Sequence, residues 1–212
     1  MQEANENFRR VALILAKGAC PGSARPFVLT AADRGEGTTT VTLNVARHLK
    51  EGCGVTPLVV EMNLGRPVLA DMFGLDATHG VEAIASGRHA PAECVQHGAF
   101  GLAMIPGGPT PSQHGFGSDL CGTARRIVTD LAASHEVILF DAPPILRSAD
   151  ALALAAVVLN VLLVVEAGRT RTEMLDRTRD EIERVSGVQL VGVVLNKHKR
   201  LIPAWLYRTF VR

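Results

Sequence analysis

Short apolar runs alternate along this chain with longer stretches whose apolar positions recur at helical spacing. The runs at 26–31 (PFVLTA), 56–61 (TPLVVE), 101–106 (GLAMIP), 136–141 (EVILFD), 160–166 (NVLLVVE) and 190–195 (LVGVVL) are too short for helices. Their Val, Leu and Ile content suits strands buried on both faces. Helices are expected over 3–16, 38–51, 119–134, 150–158 and 170–186. In the second of these, Val41, Val45 and Leu49 mark one buried stripe. Pro21, Gly22 and Pro26 end the first helix, and Gly52 and Gly54 end the second. Pro143 and Pro144 lack the N–H groups a central strand needs, so the run at 136–141 stops before them. Between 67 and 111 the pattern gives small helices and loops around the run at 101–106, and 107–117 is a Gly/Pro-rich loop. Strands alternating with helices predict a mostly parallel sheet with helices on both faces, a three-layer α/β domain. The chain is read as one such domain, 1–212, with an N-terminal helix within 1–20 and a basic-aromatic tail at 197–212.

Composition narrows the partners. The 212 residues are 47% apolar and 20% charged, a globular balance that excludes a disordered chain. A net charge of +1 gives no sign of nucleic-acid binding. Cys20, Cys53, Cys94 and Cys121 form no CxxC pair, and the histidines, His114 in the 107–117 loop among them, are scattered, so no metal is assigned to them. The longest apolar stretch, 151–165, is interrupted by Asn160 and falls short of the roughly 20 residues that span a bilayer. The apolar end of the first helix is too short for a secretory signal. A cytoplasmic protein with no transmembrane segment of its own is expected, reaching the membrane only through a partner.

In open α/β sheets, ligands bind at the carboxyl ends of strands. Three segments fall there: the turn after 26–31, Glu61 to Arg66, and Asp141 to Pro144. The first reads strand, Gly35-Glu36-Gly37-Thr38-Thr39-Thr40, helix. Glycines let backbone N–H groups turn toward an anion, and the helix N-terminus adds positive potential. This is a phosphate-binding loop in which Thr39 holds the place that ligates Mg²⁺. The lysine expected next to Thr39 is Thr38, and the first glycine of the pattern is Ala32. Only four of the 22 basic residues are lysines, so the missing ammonium is not expected to be made good nearby. Asp141, ending an apolar strand, suits a carboxylate that holds the metal. Arg34 and Arg66 are candidate substitute charges for the lysine.

This order of segments resembles the bacterial tyrosine kinases, cytoplasmic partners of polysaccharide co-polymerases within the partitioning-ATPase-like branch of P-loop proteins. Residues 30–46 (TAADRGEGTTTVTLNVA) are similar to the family's PGEGKST…N-L-A segment. Glu61-Met62-Asn63-Leu64-Gly65-Arg66-Pro67 lies where the family has DADLRRP. Residues 80–87 (GVEAIASG), Asp141-Ala142-Pro143-Pro144, Ser148-Ala149-Asp150 and Gly192-Val193-Val194-Leu195-Asn196 resemble further signatures. The resemblance implies ATP or ADP with Mg²⁺, bound by Gly35, Glu36, Gly37, Thr38, Thr39, Thr40 and Asn196, the last toward adenine. It also implies Thr39 and Asp141 at the metal, Asp141 and Glu61 as catalytic carboxylates, and self-association through the N-terminal helix.

The departures point to a degenerate member. Thr38 replaces lysine, and the second motif has Glu61 and Asn63 for its two aspartates. Ala12 replaces the last arginine of the helix motif E-x-x-R-x-x-R begun by Glu6 and Arg9. The tyrosine cluster is absent, Tyr207 being the sole tyrosine. A hydrogen bond to a charged group contributes about 1.5–3 kcal/mol, so losing the lysine weakens phosphate binding by roughly one to two powers of ten. The function expected is a regulatory partner of a membrane-anchored polysaccharide co-polymerase in exopolysaccharide or capsule export, with weak or absent kinase activity. The rivals are an active tyrosine kinase or ATPase of the same family, and a partitioning ATPase. The tail, with Trp205, Tyr207 and Phe210 among basic residues, is read either as a closing helix on the sheet or as a contact for anionic lipid.

Overall fold

The computed structural model describes residues 2–109 and 119–197. Each apolar run becomes a strand. In chain order with the helices, the elements are α1 (Gln2–Ala16), β1 (Arg25–Ala31), α2 (Thr38–Cys53), β2 (Pro57–Glu61), α3 (Leu69–Phe73), α4 (Val81–Ala85), β3 (Gln96–His97), β4 (Ala103–Ile105), α5 (Leu120–Leu131), β5 (Val137–Asp141), α6 (Ala149–Val158), β6 (Asn160–Glu166), α7 (Thr172–Glu183) and β7 (Gln189–Asn196). The sheet runs β3-β4-β2-β5-β1-β6-β7, parallel throughout except for β3 against β4. Strand β3 lies where only small helices and loops were expected, because two residues carry no readable periodicity. Helix α7 starts at Thr172 rather than 170. Thr170 instead closes the turn after β6, its N–H on the Glu166 carbonyl and its hydroxyl accepting from the Glu166 N–H.

Alternation along the strands separates two cores. Val28, Leu58, Val60, Ile138 and Phe140 face α4, α5, α6 and α7, whose Ile84, Ile127, Leu154 and Ile182 meet them. Phe27, Leu29, Val59, Val137 and Leu139 face α1, α2 and α3, whose Leu15, Val45 and Leu69 meet them. The central strands β2 and β5 are buried at every residue, as strands covered on both faces must be. Three strand ends therefore point to one edge of the sheet: β1 into residues 32–37, β2 into Met62, and β5 into Ala142.

On α1, Glu6 pairs with Arg9 at 3.7 Å, one helical turn on. Ala12 is fully buried in the core shared with α2, a position that has no room for an arginine. Among the described residues, no helix is long and apolar enough to cross a membrane. His114 and most of the 197–212 tail, with its aromatics, lie outside the described residues.

Candidate functional site

The turn between β1 and α2 is built around two left-handed glycines. Gly35 has φ +82° and Gly37 φ +89°, a region L side chains rarely adopt. A Cβ on Gly37 would stand 2.4 Å from Asn196 Nδ2. The loop is tied to itself by Glu36, whose buried carboxylate accepts the N–H groups of Ala32 at 2.8 Å and Asp33 at 3.0 Å. Thr170 Oγ1 donates to the other oxygen of Glu36. Asn196 Nδ2 donates to the Glu36 carbonyl at 2.8 Å. With Gly37 as N-cap there is no capping side chain, and the N–H groups of Thr38, Thr39 and Thr40 have no partner inside α2. These donors open on the cleft, so the geometry is that of an anion seat.

Lysine does reach this loop: Lys197 Nζ donates to the Gly35 carbonyl at 2.6 Å and pairs with Glu166 at 3.0 Å. Parallel pairing of β6 and β7 sets Asn196 opposite Glu166 and delivers Lys197 to the loop's outer side. Arg169 meets the same Glu166 at 3.0 Å, and together the two cations hold its carboxyl below the ordinary range. Lys197 braces the loop backbone and is not among the residues that line the cleft. The side chains of Asn196 and Glu36, both read as nucleotide contacts, are likewise engaged with the loop.

At the floor, Thr39 Oγ1 donates to Asp141 Oδ2 at 2.6 Å. The other oxygen, Oδ1, is buried without a hydrogen-bond partner. Burial above all, with the nearby Glu61 charge adding, pushes the Asp141 pKa up to about 7. An orphaned carboxylate oxygen beside a threonine hydroxyl is an all-oxygen donor set that fits Mg²⁺. Between the ordinary carboxylate range and pH 7 the folded protein keeps a proton that the unfolded chain has released. Stability therefore falls as pH rises through that window and levels off above it. Asp141→Asn should make this slope shallower in urea denaturation between about pH 5 and pH 7.5. Glu61, also raised by burial, contributes the remaining slope in the same direction. An unchanged slope in the variant would assign the titration to another group.

Glu61 itself is fully buried and fully engaged. Oε1 accepts the Val68 N–H at 2.5 Å and the Leu69 N–H at 3.0 Å, and Oε2 accepts the Gly107 N–H at 2.9 Å. It ties the start of α3 to the segment after β4. Asn63, Arg34 and Arg66 line a cleft of about 460 Å³ with Thr38, Thr39, Thr40 and the Pro143-Pro144 segment. Arg147 lines it too and was not singled out from sequence. It follows the Asp141-to-Pro144 motif without belonging to it, and no spacing marks it.

No protein-family model matches the chain. Over 198 residues it is 23% identical to the tyrosine-protein kinase YwqD of Bacillus subtilis strain 168, covering 92% of this chain and 81% of YwqD. It is 21% identical over 196 residues to the putative tyrosine-protein kinase CapB of Staphylococcus aureus, covering 91% and 84%. The kinase domain of VpsO superposes with a TM-score of 0.74 at 26% identity, covering 93% of this chain and 97% of that one. The chain is a homologue of the bacterial tyrosine-protein kinases. Its fold is also that of cobyrinic acid a,c-diamide synthase from Mycobacterium smegmatis, solved with an ATP analogue and magnesium (TM-score 0.66, 18% identity, 80% of this chain and 73% of that one). This tyrosine-kinase homologue thus has the three-layer α/β P-loop architecture of its relatives, with a hydroxyl at position 38.

Proposed function

We propose that this chain is a nucleotide-binding regulatory partner of a membrane-anchored polysaccharide co-polymerase in exopolysaccharide or capsule biosynthesis and export, with weak or absent kinase activity. The observation that carries the proposal is the pairing of a preformed anion seat and a Thr39–Asp141 floor with a cleft short of catalytic groups. Backbone N–H groups of residues 35–40 would receive the phosphates. Thr39 and Asp141 would hold Mg²⁺, which offsets charge on the β- and γ-oxygens when bound. Phosphoryl transfer needs more. Thr38 offers no cation to the charge that develops in the transition state. Asn63 cannot take a proton. Glu61 is buried, tied to three backbone N–H groups and not among the residues that line the cleft. A nucleotide held this way acts as a binding signal at the sheet edge, and the chain associates with itself through α1 and with the co-polymerase at its cytoplasmic end.

The test is a phosphotransfer assay with Mg-ATP and a tyrosine-containing peptide. The unmodified protein should transfer no phosphate above background. Thr38→Lys combined with Asn63→Asp should raise transfer by at least about tenfold, the lower end of what one charged hydrogen bond contributes. Robust transfer by the unmodified protein would favour an active kinase and sink the regulatory reading.

A further inference from the structure

The mouth of the cleft carries a cation that no motif announces. Arg147 stands in the segment between β5 and α6, and its Nε donates to Asp33 Oδ1 at 3.0 Å. Asp33 belongs to the phosphate loop, so the bond joins two segments 114 residues apart in sequence. The Arg34 N–H donates to the same oxygen at 2.8 Å. Arg147 and that N–H hold the Asp33 carboxyl below the ordinary range.

As a stabilising contact this pair is minor. Arg147 is more than half exposed, and exposed ion pairs contribute about 0–1 kcal/mol. Its geometric effect is larger. Among the described residues, Nε to Asp33 is the only side-chain hydrogen bond of Arg147, so the two terminal nitrogens of this cleft-lining residue have no partner. A guanidinium fixed at Nε presents the planar fork that suits a phosphate.

The floor of the cleft independently asks for an ionic ligand. Asp141 Oδ1 is fully buried without a partner, next to the Thr39 hydroxyl. Thr39 and Asp141 would hold a divalent cation there, which would supply positive charge to the distal phosphates of a nucleotide. Arg147 lines the same cleft, in the segment that follows the strand ending in Asp141. Asn196 and Lys197 brace the loop from the other side. The other charges lining the cleft are Arg34, Arg66, Asp33 and Asp150. Of the three arginines, only Arg147 is tied to the loop through its side chain.

We infer that Arg147, oriented by Asp33, recognises the terminal phosphate of a nucleoside triphosphate. The inference rests on the nucleotide-binding reading above. Calorimetric titration with Mg-ATP and with Mg-ADP separates the two. Arg147→Ala should weaken Mg-ATP binding about tenfold, the lower end for one charge-assisted hydrogen bond, and leave Mg-ADP within about twofold. Arg147→Lys should restore part of the loss, since an ammonium keeps the charge and loses the fork. A purely structural role for Arg147 would not change the ATP-to-ADP affinity ratio. Circular dichroism melting of the variants checks that the fold is kept. Unchanged Mg-ATP affinity in Arg147→Ala, or equal losses for both nucleotides, overturns the inference and leaves the nucleotide reading standing. No binding of either nucleotide by the unmodified protein overturns both.

Discussion

Glu61→Ala is expected to destabilise the protein by on the order of 4 kcal/mol in urea denaturation, because it strands three N–H groups, two buried and one half-buried, at about 1–3 kcal/mol each. Those groups belong to Val68, Leu69 and Gly107, and the carboxylate that serves them is fully buried. Burial of the charge works against the brace, and Glu61 is pushed above the ordinary carboxylate range for that reason. The three donors pull the other way and keep it an acceptor. Against a total stability of roughly 5–15 kcal/mol, the loss would leave a marginal fold. Glu61→Gln should cost less, about 1–2 kcal/mol. Its amide oxygen can still accept from Val68 and Leu69, but its NH₂ then faces the Gly107 N–H, donor to donor. An alanine variant within about 1 kcal/mol of the parent would show that these bonds do not brace the segment, since one unsatisfied group alone should cost that much.

Gly37→Val is expected to remove Mg-ATP binding while leaving the sheet folded. Two effects act together. The residue would have to hold φ near +89°, which a β-branched side chain resists. Its Cβ would also press on Asn196 Nδ2, which now holds the Glu36 carbonyl. Relief of either displaces the loop and scatters the N–H groups of Thr38, Thr39 and Thr40. Strain of about 1–3 kcal/mol, combined with loss of the seat, predicts an affinity drop of about a hundredfold. Gly52→Ala is the control, because a Cβ there meets nothing within 4 Å. Equal affinity in the two variants would contradict an anion seat at residues 35–40.

The layered fold was legible because its strands are buried on both faces. Runs such as Val137 to Phe140 must then be apolar at every position. The turn at Gly35 and Gly37 was legible because left-handed backbone leaves few choices of residue. Strand order was not legible; the meeting of Thr39 and Asp141 was expected from the family resemblance, but other contacts between distant segments were not. Lys197 meets Gly35 from 162 positions away, and only the adjacency of β6 and β7 brings it there. Arg147 was hidden for the same reason. Its partner Asp33 reads as an ordinary loop residue until two strand ends are set side by side. Glu61 shows the opposite failure. A carboxylate at a strand end resembles a site residue in sequence, and only the positions of Val68, Leu69 and Gly107 reveal that its oxygens are already engaged.

Calorimetric titration of the unmodified protein with ATP, with magnesium present and then chelated, bears most directly on the whole account. Saturable binding is expected with magnesium. It should weaken at least about tenfold on chelation, since Thr39 and the orphaned oxygen of Asp141 would then face the phosphates with no cation between them. No saturable heat at millimolar ATP, or the same affinity with and without the metal, would contradict it.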